Sequence, residues 1–391
     1  MANEFSLNKK TQLIAGEVYK NVPYVKKAHK YMTQEQLKGK KFGKTYKIYI
    51  TDPGKTIDGI VADPDAINEK EVEVTLTAVN NSTTVDLWDE LTNIEDFTRE
   101  IAKPRGQNIA RTIEKKAIES TVFNGAQVAI GSADFSTLSE AAGKLEEVDV
   151  AGTKVAFIKP TVGAKIASKG LSNFIPSDIQ KGIYEKAYLG EYAGASIVNE
   201  SLMPTIKADG SSASLTFSPV SGEGSKSATV VGYEPVVSAS GLKKGMAYKI
   251  DGLKMVNLNG VQTDQDYVIV ATADNKFPEI RVTVDGEAHN NPNAWVATGV
   301  LTGAVDVENM LTSGKEYYIG QVRTEDAVGF DSYEFGKLPG TEQADETVEN
   351  IRIKCSKGGD NINGTASVVL RAPYAVTLPE PRKSVVVYFE K

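Results

Sequence analysis

Cysteine, histidine and tryptophan are almost absent: the 391 residues include one cysteine, two histidines and two tryptophans. A single cysteine, Cys355, cannot close a disulfide within the chain, and its isolation removes every Cys-x-x-Cys metal or redox motif. His29 and His289 lie far apart in the sequence, so a Cys-His or Ser-His-Asp arrangement would need long-range coincidence. Both are read as packing or surface residues. No apolar run approaches the roughly 18 residues that cross a bilayer; the longest resemble Val385-Val386-Val387-Tyr388-Phe389. An excess of positive charge is also missing. Against 44 Lys and Arg stand 51 Asp and Glu, a net charge of -7 with a pI near 5.3, which argues against a chain whose task is to grip phosphate through a basic surface.

Candidate chemical motifs fail on spacing. Gly54-Lys55-Thr56 has the tail of a phosphate loop, but the first glycine of that loop falls on Tyr49 and no helix is expected to follow, so a turn is the reading. Ser221-Gly222-Glu223-Gly224-Ser225-Lys226-Ser227 has neither the phosphate-loop order nor the dinucleotide spacing and reads as a loop. Asp264-Gln265-Asp266 lacks the glycine and the bidentate glutamate of a calcium loop, and Asp63-Pro64-Asp65 is a turn. Glu146-Glu147 ends a helix with nothing to mark an acid/base pair. Neither a catalytic residue nor a metal or cofactor is expected. The start, Met1 to Lys10, lacks a secretory apolar region, so synthesis in a reducing cytoplasm is expected. On that expectation Asn80-Asn81-Ser82, Asn81-Ser82-Thr83 and Asn363-Gly364-Thr365 are loop chemistry rather than glycosylation acceptors.

What is present suits an α+β chain of two or three domains, with 41% hydrophobic and 24% charged residues. Asn8 precedes a short amphipathic helix bearing Leu13, Ile14 and Val18, and a basic strip from Lys26 to Lys44 completes an arm over residues 1–41. Lysines 38, 40, 41, 44 and 47 have the aromatic neighbours Phe42, Tyr46 and Tyr49; in an acidic chain this reads as a charged edge against wrong strand pairing. Tyr46, Ile48 and Ile50 then alternate with Lys47 and Tyr49, and after Asp52-Pro53-Gly54 and a second loop Val72, Val74 and Leu76 alternate with acidic residues and Thr75. This predicts a long two-stranded ribbon over residues 42–77. Two strands bury too little apolar surface to stand alone in water, so the ribbon must lie on this subunit or on a neighbour. Tyr46, Ile48, Ile50, Pro53, Lys55, Ile57 and Ile60 are its candidate contact residues.

Thr92-Asn93-Ile94-Glu95 has the form of a capping box and predicts a helix from Thr92 to Phe123, interrupted at Pro104 and Gly106 and stopped by Asn124-Gly125. With it, residues 78–125 make one domain. Residues 126–212 read as a compact α/β domain: a helix over Ser136 to Glu147, a buried strand Val155 to Ile158, and a helix opened by Pro160. Gly, Ser and Asn turns with short β-rich runs over residues 213–322, including Tyr317-Tyr318-Ile319, predict an inserted β-barrel. Residues 323–391 return to strands that could complete the first domain's sheet and are shared between two domains. Internal repeats are not found.

This order of segments resembles the major capsid proteins of tailed double-stranded-DNA phages, in particular short-tailed-phage coat proteins with an inserted β-domain. The resemblance rests on Trp88-Asp89-Glu90-Leu91 leading to Phe123-Asn124-Gly125, and on Phe157-Ile158-Lys159-Pro160. It continues through Phe174-Ile175-Pro176, Tyr192-Ala193-Gly194 and Leu202-Met203-Pro204 to Gly241-Leu242-Lys243-Lys244-Gly245 and Tyr248 to Gly252. It implies the Hong Kong phage capsid fold, with an N-terminal arm, extended loop, spine helix, peripheral and axial domains, and an inserted β-barrel. It also implies a non-enzymatic wall of hexamers and pentamers, a scaffolding protein and a portal as partners, assembly in a host cytoplasm, and a place in the virion. A wall that encloses double-stranded DNA without sequence-specific binding is better neutral or acidic, since each lysine-to-phosphate contact adds affinity regardless of sequence. The competing classes are a β-rich phage tail or surface-binding protein, which should show trimeric repeats, and an enzyme with a split site, which should show a pocket of converging acids and bases.

Overall fold

The computed structural model describes residues 7–32, 45–51, 69–86, 97–170, 190–210, 212–218, 236–259, 261–278, 296–297, 303–334, 336, 340–360 and 365–391. These fall into two compact units. The first is drawn from Met1–Ile48, Glu73–Glu119 and Val328–Thr377, the second from Tyr49–Val72, Ser120–Ala327 and Leu378–Lys391.

In chain order the elements begin with α1 (Leu7–Lys20), α2 (Pro23–Lys26), β1 (Thr45–Thr51), β2 (Glu69–Thr75) and β3 (Thr77–Asp86). A π turn, Phe97–Ala102, runs into α3 (Lys103–Thr121), followed by β4 (Gln127–Gly131), α4 (Phe135–Glu147), β5 (Lys154–Ile158) and α5 (Pro160–Gly170). Then come β6 (Glu191–Tyr192), β7 (Ala195–Asn199), β8 (Thr205–Lys207), β9 (Ala213–Ser218), β10 (Val236–Ser240), β11 (Ala247–Val256) and β12 (Gln262–Val270). The chain continues through β13 (Val296–Ala297), β14 (Gly303–Asn309), β15 (Glu316–Thr324), β16 (Gly329–Asp331), β17 (Glu342–Val348), β18 (Ile351–Asp360), β19 (Thr365–Thr377) and β20 (Ser384–Glu390).

In the first unit, β16, β19, β18 and β17 pair in that order, with β3 also on β19. Alternation along β18 puts Ile351, Ile353 and Cys355 in the core, and α1 lays Thr11, Ile14, Ala15 and Val18 inward against β17 and β18. The expected spine helix is present, but it changes character where the sequence breaks. Pro104 has no amide hydrogen to donate and its ring opposes the carbonyl four residues earlier, so the wider π turn precedes it and regular α-helix follows. Gly106 has a separate reason: a Cβ there would stand 2.8 Å from Glu17 Cβ and 3.3 Å from the Ile14 carbonyl oxygen, so α1 crosses α3 at a point where only hydrogen fits. The Thr92 capping box lies outside the described residues.

Three strand expectations are corrected. Asn80, Asn81 and Ser82, read as loop, lie inside β3 opposite Arg371, Leu370 and Val369. Their weak strand preference is overridden by ten consecutive pairings to β19 and by the Arg105 guanidinium, which donates to Asn81 Oδ1 at 2.5 Å. Tyr317-Tyr318-Ile319, assigned to the inserted region, belongs to β15, which pairs with β20 and β5 in the second unit's main sheet. Of the returning strands, β20 completes that sheet, whereas β18 and β19 belong to the first unit.

That main sheet runs β4-β20-β15-β5-β7-β6, with β8 on β15. β5 and β20 are buried nearly throughout, as their continuous apolar runs require. Asp134 caps α4 by accepting from the Thr137 amide at 3.2 Å, and Pro160 opens α5. The inserted region forms a second sheet, β10-β9-β14-β11-β12, with β13 on β11. The expected barrel is not closed among the described residues: β10 and β12 end the order unjoined.

Candidate assembly site

The ribbon exists as β1 paired with β2, and its two faces differ. Tyr46 and Ile48, only 5% and 6% exposed, pack with Val74 and Ala375 and with the half-buried Tyr31, Met32 and Leu76. Thr45, Lys47 and Tyr49 face outward between them, as strand periodicity demands, and Tyr49 is 53% exposed. On β2, Glu71 and Glu73 are exposed around the buried Val74.

The root is pinned by Asp331, which is 2% exposed. Its Oδ2 accepts from the Tyr46 hydroxyl at 2.7 Å, and its Oδ1 accepts from the backbone amides of Tyr31 and Met32, each at 3.1 Å. One carboxylate therefore ties the N-terminal segment and the ribbon to β16. His29 completes the arrangement: its amide donates to the Val328 carbonyl and its carbonyl accepts from the Phe330 amide, while its ring meets Tyr31 edge-on at 5.0 Å. Burial raises the Asp331 pKa above the usual carboxylate range, against the opposing pull of the three donors and the His29 charge. Burial, and then the neighbouring carboxylate, pushes the Tyr46 phenol far upward, so it is a permanent donor.

The predicted contact residues therefore divide. Tyr46 and Ile48 are buried within this chain, packed with Val74 and Ala375. Ile50 is half-buried, whereas Pro53, Lys55, Ile57 and Ile60 lie outside the described residues. Sequence reasoning missed Asp331, whose donors lie about 300 positions away and leave no local signal.

The inserted sheet is fixed to the main sheet differently. Arg382, 2% exposed, holds Glu380 through Nε to Oε1 at 2.8 Å and Nη2 to Oε2 at 2.9 Å, while its Nη1 donates to the Asn257 carbonyl at 2.7 Å. Asn257 and Asn259 in turn donate their side-chain amides to Asp149 Oδ2, and the Tyr388 hydroxyl donates to the Gly245 carbonyl at 2.8 Å. Asp149 adopts a positive φ of 58°, a conformation that aspartate tolerates better than most residues.

Among the described residues the other motif side chains pair with neighbours instead of converging. Asp266 accepts from Lys249 and Lys254, Glu146 pairs with Lys154, and Glu147 accepts from Gln265. Among the described residues no three His, Cys, Asp or Glu side chains converge to hold a metal, and no helix is long and apolar enough to cross a membrane.

Solved structures similar to this chain include that of Mycobacterium phage Che8, at 12% identity over 94% of this chain and 90% of that one, with a TM-score of 0.48. The asymmetric unit of the bacteriophage PhiM1 mature capsid matches at 12% identity over 89% of this chain and 82% of that one, TM-score 0.43. The virus-like particle from Pyrococcus furiosus matches at 9% identity over 97% of both chains, TM-score 0.41. No family model and no curated protein matches the sequence.

Proposed function

We propose that this chain is the major capsid protein of a tailed double-stranded-DNA phage, forming hexamers and pentamers of an icosahedral shell. The observation that carries the reading is the ribbon: its root is anchored in its own subunit by Tyr46, Ile48 and Asp331, while Tyr49 on the opposite face is uncovered. A two-stranded ribbon with an open aromatic face is completed by packing on a neighbour, and a repeated contact between unlike surfaces closes rings. Ile50, Pro53, Lys55, Ile57 and Ile60 meet the adjacent subunit on this reading. Two of the structures named above are of a phage capsid and a virus-like particle; the reading for this chain rests on its own ribbon.

The proposed parts are an arm (1–41), the ribbon (42–77), a peripheral domain with the spine helix (78–125), an axial domain (126–212), an inserted domain that stops short of β15, and returning strands to residue 391. Closure of the inserted sheet into a barrel belongs to the same proposal. So do a scaffolding protein and a portal as partners, assembly in a host cytoplasm, and location in the virion. Deleting Thr51 to Asp65 should leave a folded monomer, by circular dichroism and size exclusion, that forms no shells in electron micrographs. Normal shells from that variant would sink the reading.

A further inference from the structure

α3 buries Ile109, Ile113 and Ala117, while Lys103, Arg111, Lys115 and Lys116 along the same helix are all exposed. Glu119 is the single exposed acid in the helix; it stands 3.9 Å from Lys115, while Glu114 is buried and accepts from the Val25 amide. Lys103, Arg111 and Lys116 have no hydrogen-bond or ion-pair partner among the described residues. Their neighbours contrast: Arg99 pairs with Glu100, and Arg105 with Asn81. Uncompensated cations gathered on one helix are unexpected in a chain of net charge -7.

We propose that these exposed cations of the spine helix form the contact surface for the phosphate backbone of the enclosed double-stranded DNA. The inference rests on the shell reading and adds the side of the subunit that turns toward the DNA. A protein partner is disfavoured by composition, because protein interfaces are anchored by buried aromatic or aliphatic side chains. Among the described residues the exposed large hydrophobic side chains are Tyr49, Tyr192, Val261 and Met310, none of them on this helix. From Lys103 to Lys115 the cations extend along about 18 Å of helix at 1.5 Å per residue, and exposed ammonium and guanidinium groups spread over that length suit phosphates irrespective of base sequence. Four cations per subunit give weak, salt-sensitive attraction, enough to line a wall without pinning what it holds.

The test is fluorescence anisotropy of a labelled DNA duplex with the full-length chain across a salt series. Changing Lys103, Arg111, Lys115 and Lys116 together to Gln should flatten the slope of log K against log salt by about 3 to 4, since each lost phosphate contact removes about 0.9. A control set of equal charge change, Lys9, Lys20, Lys26 and Lys30 to Gln, should leave the slope unchanged. An unaltered slope in the helix variant, or equal flattening in both sets, overturns the proposal. Circular dichroism checks the fold; if the quadruple variant does not fold, the pair Arg111→Gln and Lys116→Gln should flatten the slope by about 2, and an unchanged slope there counts against the proposal equally. Particle imaging keeps the two claims separate: normal shells from a variant with unchanged DNA binding defeat this inference alone. Failure of the unmodified chain to form shells, with salt-dependent binding intact, defeats the shell reading alone.

Discussion

The ribbon and the inserted sheet are both appendages, but they are attached by different physics. At the inserted sheet, Arg382 is bound on both edges, to Glu380 and to backbone carbonyls of β11 and the turn after it, and further amides converge on Asp149. At the ribbon root, a small apolar cluster and one carboxylate suffice. A buried, fully paired guanidinium fixes one geometry because any displacement strands a charge away from water. A phenol-to-carboxylate bond over a few apolar side chains gives way at lower cost. The inserted sheet is thus held by a buried ion pair and several hydrogen bonds, the ribbon root by a smaller set of contacts.

Breaking the stronger attachment should have the largest effect. Arg382→Met leaves Glu380 buried without its partner and should cost roughly 3 to 5 kcal/mol in urea unfolding. Adding Glu380→Leu should recover much of that loss; no recovery would mean that the pair is not what holds the sheet. At the ribbon root, Asp331→Ala strands the Tyr46 hydroxyl and two amides and should cost about 2 to 3 kcal/mol. Hydrogen exchange should then quicken in β1 and β2 and stay slow in β18. Uniform quickening would show that the root is no local anchor.

The smallest effect, and the sharpest for the comparison, is pH. Because burial raises the Asp331 pKa above its ordinary 3.8, the folded root binds a proton that the opened root does not. Its contribution to stability is therefore greatest below 3.8 and declines as pH rises through the raised value. Protection of β1 and β2 against exchange, corrected for the intrinsic rate, should increase on mild acidification, and Asp331→Asn should flatten that dependence. Equal pH dependence in the variant would remove Asp331 as its source.

Much of the scaffold was legible because local chemistry dictates it. Alternation marked β1 and β2, Pro160 marked the start of α5, and Pro104 marked the change of helix type in the spine. The rest depends on distant partners. Asn80, Asn81 and Ser82 look like loop until β19 supplies their pairing, and β15 looks like its neighbours in sequence until β5 and β20 flank it. Asp331 draws its donors from 285 to 300 positions away, and Arg382 pairs with the nearby Glu380 but finds its backbone acceptors about 125 positions away, a reach that no pattern within a window of sequence records.

The main sheet places β20 between β4 and β15, in parallel register with β4, so that Val385 pairs with Gln127. β4 is therefore covered only once a strand far along the chain has arrived, and such distant pairing is slow. A ribosome product that stalls before Ser384 cannot finish this sheet. Strand order thus makes the second unit's sheet depend on one distant strand: without β20, β4 and β15 lose the neighbour that lies between them and the sheet divides.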